Sequence, residues 1–166
     1  MKYLLLFSIP IILSLLFLAG CGGGERVASE GDTVSVHYTG TLEDSTVFDS
    51  SRDGNPLSFT IGAGQMITGF DNAVRGMKVG ETKTVTLSPE EAYGQYRDDL
   101  IVELDRSQFP ESMTLTIGQK VPLQNSAGQQ FTAVIIAIGT STVTLDANHE
   151  LAGKTLIFEI ELMSID

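Results

Sequence analysis

The stretch Thr33-Val34-Ser35-Val36-His37-Tyr38-Thr39-Gly40 alternates, with Val34, Val36 and Tyr38 on one face and polar residues on the other. A period of two is the mark of a strand with one buried face, and Gly40 closes it. The pattern repeats outward from this segment. Leu57-Ser58-Phe59-Thr60-Ile61 alternates until Gly62-Ala63-Gly64 breaks it. Thr82 to Leu87 places Thr82, Thr84 and Thr86 on one face, Val85 and Leu87 on the other. Lys154 to Ile165 alternates through Leu156, Phe158, Ile160 and Leu162. Asp49 to Pro56, rich in Asp, Ser, Gly and Asn, reads as a loop. Only Phe70, Ala73, Val74 and Met77 follow a helical rhythm, at i, i+3, i+4 and i+7, which predicts one short helix over 70–77.

The segment between Gln95 and Asn148 has its own β pattern. Leu100 to Leu104 and Thr142 to Leu145 are strand-like, and Val121-Pro122-Leu123 and Phe131 to Ile138 flank a hairpin-like turn, Asn125-Ser126-Ala127-Gly128. A structureless loop of about fifty residues does not suit a compact domain, so residues 96–146 read as an inserted β-rich subdomain.

Composition narrows the function. Among 166 residues, 21 are acidic and 10 basic, for a net charge of -11, which repels phosphate backbones and argues against nucleic-acid partners. The single cysteine, Cys21, rules out an intramolecular disulfide and a cysteine metal cluster. There is no Gly-x-Ser-x-Gly elbow, P-loop or His-Glu-x-x-His. The chain begins with Lys2, an apolar run from Tyr3 to Leu18 and then small residues, the layout of an export signal. Leu18-Ala19-Gly20-Cys21 resembles a bacterial lipobox. That resemblance implies a signal peptide over 1–20, acylation of Cys21, and a lipid-anchored exported protein. Gly22 is not the Asp that retains such proteins at an inner membrane, so the periplasmic face of the outer membrane is the expected address in a two-membrane envelope. Residues 21–30 then read as a flexible tether.

Val36 to Gly40, Val47-Phe48-Asp49-Ser50-Ser51, Ile61-Gly62, Met66-Ile67-Thr68-Gly69-Phe70, Ser88 to Gly94 and Leu151 to Phe158 together resemble the FKBP-type peptidyl-prolyl cis/trans isomerases. Asn148-His149 before Leu151-Ala152-Gly153, with the insert after Tyr93-Gly94, is similar to the SlyD-like branch. The resemblance implies an α+β fold, an antiparallel sheet wrapped on one short helix. It divides the chain into an isomerase domain over 31–95 and 147–166 and an insert-in-flap domain over 96–146 that binds unfolded chains. It places Tyr38, Phe48, Asp49, Ile67, Tyr93 and Phe158 in catalysis, with Leu57, Met66 and Phe70 binding substrate. Tyr93 Oη and the Ile67 N–H would hold substrate carbonyls, and Asp49 would accept a hydrogen bond from Tyr38. Partners implied are unfolded or proline-containing polypeptides and FK506-like macrolides. Phe70 stands where many relatives have Trp, and Leu57 where many have Phe, which would weaken such inhibitors. No His/Cys-rich tail follows Ile165-Asp166, so neither metal nor other cofactor is expected.

Several residues also have plainer readings. Phe59 reads as core, Phe158 by itself as core or pocket, and His37 and His149 as structural. Glu90-Glu91 and Asp98-Asp99 read as solvated surface. The apolar run Ala133 to Ile138 supports a second reading of the whole chain, a membrane-anchored holdase with a vestigial pocket.

Overall fold

A computed structural model describes residues 26–124 and 128–166. The expected signal peptide, Cys21, the expected tether up to residue 25 and the centre of the turn at 125–127 lie outside the described residues.

The alternating segment that begins the reading is β1 (Thr33–Leu42), and it organises one sheet. Along one edge it pairs antiparallel with β9 (Leu156–Ile165), from Val34 opposite Ile165 to Leu42 opposite Leu156. The other edge is shared. β3 (Leu57–Thr60) pairs with Thr33 to Val36, and β2 (Val47–Ser50) with Thr39 to Thr41. β4 (Thr82–Leu87) completes the sheet beside β9. Val34, Val36, Leu156, Ile160 and Leu162 are fully buried on the face covered by α1 (Thr68–Val74). The result is the expected α+β arrangement, an antiparallel sheet on one short helix.

Three local details differ from the sequence reading. The helix begins at Thr68 and ends at Val74, because Arg75 turns extended and Gly76 takes φ 78°. Met77 still reaches the core from beyond the helix. β2 occupies residues assigned in part to a loop. Its polar side chains hide the strand, which rests on backbone pairing and on Ser51. Ser51 Oγ accepts the Tyr38 N–H at 2.9 Å and the Ser51 N–H donates to Tyr38 O at 3.0 Å. Finally, residues 26–30 are no loose tether. The Ala28 N–H donates to Met77 O at 2.9 Å, the Gly76 N–H donates to Ala28 O at 2.8 Å, and Val27 bridges Lys78. Arg26 Nη2 pairs with Asp32 at 2.9 Å, and its guanidinium also donates to the Ile165 and Asp166 carbonyls. Ala28 is buried, so the segment is an edge of the domain.

The second sheet comprises β5 (Ile101–Asp105), β6 (Lys120–Gln124), β7 (Gln130–Ile138) and β8 (Thr142–Asp146), ordered β5-β8-β7-β6 and antiparallel throughout. It has its own core of Val121, Ala133, Ile135, Val143 and Leu145. The apolar run in β7 is therefore divided. Ala133 and Ile135 are internal, whereas Ile136 and Ile138 are exposed.

Candidate active site

A cavity of about 350 Å³ opens between the main sheet and the N-terminal end of α1. β1 supplies Tyr38, β2 supplies Phe48 and Asp49, β9 supplies Phe158 and α1 supplies Phe70. Gly64, Gln65, Met66 and Ile67 come from the loop before the helix, and Tyr93 from the chain after β4.

Four rings form its walls and floor. Phe158 meets Phe70 edge to face at 5.2 Å and 83°, and Phe48 at 5.6 Å and 88°. Tyr38 meets Phe70 edge to face at 5.6 Å and 82°. Edge-to-face contacts set the positive rim of one ring against the negative face of the next, which fixes ring orientation as well as burying area. Phe59, read as core, is 4% exposed and packs behind Phe70 at 5.9 Å. Gly40 is what lets the Phe48 ring approach β1 so closely. A Cβ there would stand 2.6 Å from Phe48 Cζ and 3.0 Å from Phe158 Cε1. Gly69 has the same role behind the helix, where a Cβ would stand 2.6 Å from Leu87 Cδ2.

The polar groups are few. Tyr38 Oη donates to Asp49 Oδ2 at 2.6 Å. Burial, and then the hydrogen bond to Asp49, push the Tyr38 phenol up to about 12, so it stays protonated at neutral pH. The Ile67 N–H stands at the N-cap of α1, and no described residue accepts its hydrogen bond. Tyr93 is 40% exposed, and its ring stacks on His149 with centroids 3.9 Å apart.

The loop under the cavity is tied to the helix. The Gly62 N–H donates to Asp71 Oδ1 at 2.8 Å, Arg75 Nη2 donates to Asp71 Oδ2 at 2.7 Å, and Arg75 also pairs with Glu30. Gln65 Oε1 accepts the Thr60 N–H at 2.8 Å.

The structure brings Tyr38, Phe48, Asp49, Met66, Ile67, Phe70, Tyr93 and Phe158 to one cavity. Leu57 does not line it. From β3 it lies opposite Val36 and packs, partly buried, against the core. Gly64 and Gln65 do line it and were missed, because Gly62-Ala63-Gly64 signals only the end of a strand. Asp71 was also missed. Its burial could be suspected from its place beside Phe70 on the inward face of the helix. The lining residues include no Ser, Cys, Lys or His, and they offer apolar surface, two phenols, one carboxylate and the Gln65 carboxamide. Such a site suits binding and reshaping a chain segment rather than covalent catalysis.

A family model described as FKBP-type peptidyl-prolyl cis-trans isomerase matches residues 24–163. The chain belongs to this family. Among FKBP relatives, a probable FKBP-type 16 kDa peptidyl-prolyl cis-trans isomerase of Pseudomonas fluorescens is 34% identical, over 85% of this chain and 93% of its own. The short-type peptidyl-prolyl cis-trans isomerase of Methanocaldococcus jannaschii is 34% identical over 82% of this chain and 84% of its own. The SlyD isomerase of Helicobacter pylori is 40% identical over 72% of this chain and 64% of its own. The FKBP fold thus carries a peptidyl-prolyl cis-trans isomerase, and the second sheet is consistent with an insert subdomain in it.

Proposed function

We propose that the aromatic cavity binds Xaa-Pro segments of exported polypeptides and lowers the barrier to rotation without covalent chemistry. The barrier, roughly 18–20 kcal/mol, comes from the double-bond character of the amide. A twisted amide has lost that resonance and is less charge-separated than the planar one. An apolar box that excludes water therefore favours the twisted form relative to the planar form, and only such differential stabilisation raises the rate. The observation that carries the reading is the edge-to-face box of Tyr38, Phe48, Phe70 and Phe158 around one cavity. In this reading the prolyl ring rests on Phe70 and Phe158. The Ile67 N–H and Tyr93 Oη hold carbonyls of the segment, and Asp49 keeps the Tyr38 ring in place.

Two further elements extend the proposal. The insert captures unfolded chains through apolar side chains exposed on its sheet, among them Val102, Phe131, Ile136 and Ile138. The lipobox-like Leu18 to Cys21 anchors the enzyme to a membrane through acylated Cys21, facing exported clients. Among the described residues no helix is long and apolar enough to cross a membrane.

The test is cis-to-trans exchange in a proline peptide with purified protein. Acceleration, with a loss of at least tenfold in Tyr93→Ala and Phe48→Ala, supports the site. Unchanged exchange beside effective aggregation suppression would leave the chain a holdase. The anchor is read separately. Membrane partitioning and fatty-acid labelling of the full chain should both vanish in Cys21→Ser.

A further inference from the structure

The chain leaves the isomerase domain after Tyr93 and returns to it before Leu151, and the two crossing strands are laced together. Tyr96 Oη donates to Asp146 Oδ2 at 2.8 Å, the Arg97 N–H donates to Asn148 Oδ1 at 2.9 Å, and Asn148 Nδ2 donates back to Arg97 O at 2.9 Å. The Gly153 N–H donates to Gly94 O at 2.8 Å. Inside this ladder the Tyr93 and His149 rings lie face to face, 3.9 Å apart and 3° from parallel.

Tyr93 has little else to hold it. Its ring is 40% exposed, it follows a single 3-10 turn, and Gly94 beside it adopts φ 79°. Its hydroxyl bonds no described residue, and among the described residues its ring stacks only on His149. His149 is itself fixed at two points. Its Nδ1 accepts the Leu151 N–H at 3.1 Å, and its carbonyl accepts the Ala152 N–H at 2.9 Å. Leu151 is a core residue, so the imidazole is referred back to the main core.

We infer that His149, on the strand returning from the insert, is a positioning residue for Tyr93. Its ring fixes the plane in which the phenol faces the cavity, so a residue that does not line the cavity sets the geometry of one that does. The inference rests on the proposed role of Tyr93 at the substrate. Losing the ring that orients the phenol should change the rate by about two- to tenfold, the scale of a single aromatic contact.

The experiment is a double-mutant cycle on the full chain, read as kcat/KM for a proline peptide with the melting temperature alongside. His149→Ala should lower kcat/KM about two- to tenfold. His149→Phe, which keeps a ring but loses Nδ1, should restore it to within about twofold. His149→Gln keeps a side-chain acceptor for Leu151 without a ring and should not. In a Tyr93→Ala background, His149→Ala should cost nothing further. Rescue by Gln and not by Phe would make His149 a structural cap on Leu151 and overturn the inference. An equal loss in the Tyr93→Ala background would do the same, because the effect would not pass through Tyr93. If Tyr93→Ala alone leaves kcat/KM unchanged, the reading of Tyr93 falls, and the inference with it.

Discussion

The Tyr38 hydroxyl donates to Asp49 Oδ2 across 2.6 Å, joining the middle of β1 to β2 at the rim of the cavity. β2 holds only four residues, and Asp49 is its one acidic side chain. The bond therefore fixes both an aromatic wall and the strand that carries Phe48. Tyr38→Phe should lower kcat/KM about ten- to 150-fold, as expected for loss of a hydrogen bond to a charged group worth roughly 1.5–3 kcal/mol. Asp49→Ala should do the same in the same assay. A double variant no worse than either single one would show that the two act as a unit.

The same bond sets a pH response. A tyrosine in the unfolded chain titrates near 10, roughly, and Tyr38 in the folded protein at about 12. Folding holds the neutral form, so the stability linked to Tyr38 is fully present below about pH 10. It drains away as pH rises through about 12. Ultraviolet difference absorbance in wild type and Tyr38→Phe should assign the late-ionising phenol to Tyr38. In Asp49→Asn it should titrate earlier but still above the ordinary value, because burial is the larger cause. A Tyr38 that ionises with the free amino acid would contradict this.

Gly40→Ala is expected to damage the site more than the backbone. The new methyl would meet Phe48 at 2.6 Å and Phe158 at 3.0 Å. Both rings line the cavity, so their displacement reshapes it. Overpacking of this kind costs about 1–3 kcal/mol, and kcat/KM should fall with it. Adding Phe48→Leu should restore melting temperature without restoring activity, since the room is regained by removing a wall.

These tests show how far the residues spoke for themselves. Strands β1, β4 and β9 were legible because their alternation is carried by Val, Ile, Leu and Phe buried on one face. β2 was not, since Val47-Phe48-Asp49-Ser50 is held by the β1 edge and by serine hydroxyls, which leave no hydrophobic rhythm. The rings of the site could be placed by resemblance to the family, but periodicity alone cannot separate Phe158, which lines the cavity, from Phe59, which does not. Leu57 shows the limit of carrying a position over. Expected by resemblance to bind substrate, it packs instead against the core. Glu30 carried no signal in sequence, because its partner Arg75 is brought to it only by the tertiary fold.

Asp71 and the N-terminal edge give a stability prediction. Asp71 is 7% exposed and binds both the Gly62 N–H and Arg75. Asp71→Ala removes the acceptor of the Gly62 N–H and the partner of Arg75, at a cost of about 0.5–1.5 kcal/mol for each hydrogen bond lost. Because Gly62 leads into Gly64 and Gln65, substrate KM should rise as well. Deleting residues 26–30 should also lower the melting temperature, by removing Ala28 and its two backbone bonds. A fully flexible tether could be deleted with no thermal effect, so denaturation curves separate the two pictures.

The two cores are separate, and that separation can be used to divide the activities. Ile135 is fully buried in the cluster formed by Val121, Ala133, Val143 and Leu145, whereas Ile160 is fully buried in the cluster that carries Phe70 and Phe158. Leucine- or isoleucine-to-alanine changes at such sites cost about 2–5 kcal/mol. Ile135→Ala should loosen the insert while leaving the main sheet folded, seen as faster hydrogen exchange confined to β5 to β8. Exchange of a short proline peptide should then stay near the wild-type rate, because the rings of the cavity are untouched. With the proposed capture by the insert lost, refolding of a proline-limited unfolded protein should slow several-fold. Ile160→Ala should depress both assays together. If Ile135→Ala left refolding intact despite the exchange signature, the exposed residues of the second sheet would have no part in substrate capture.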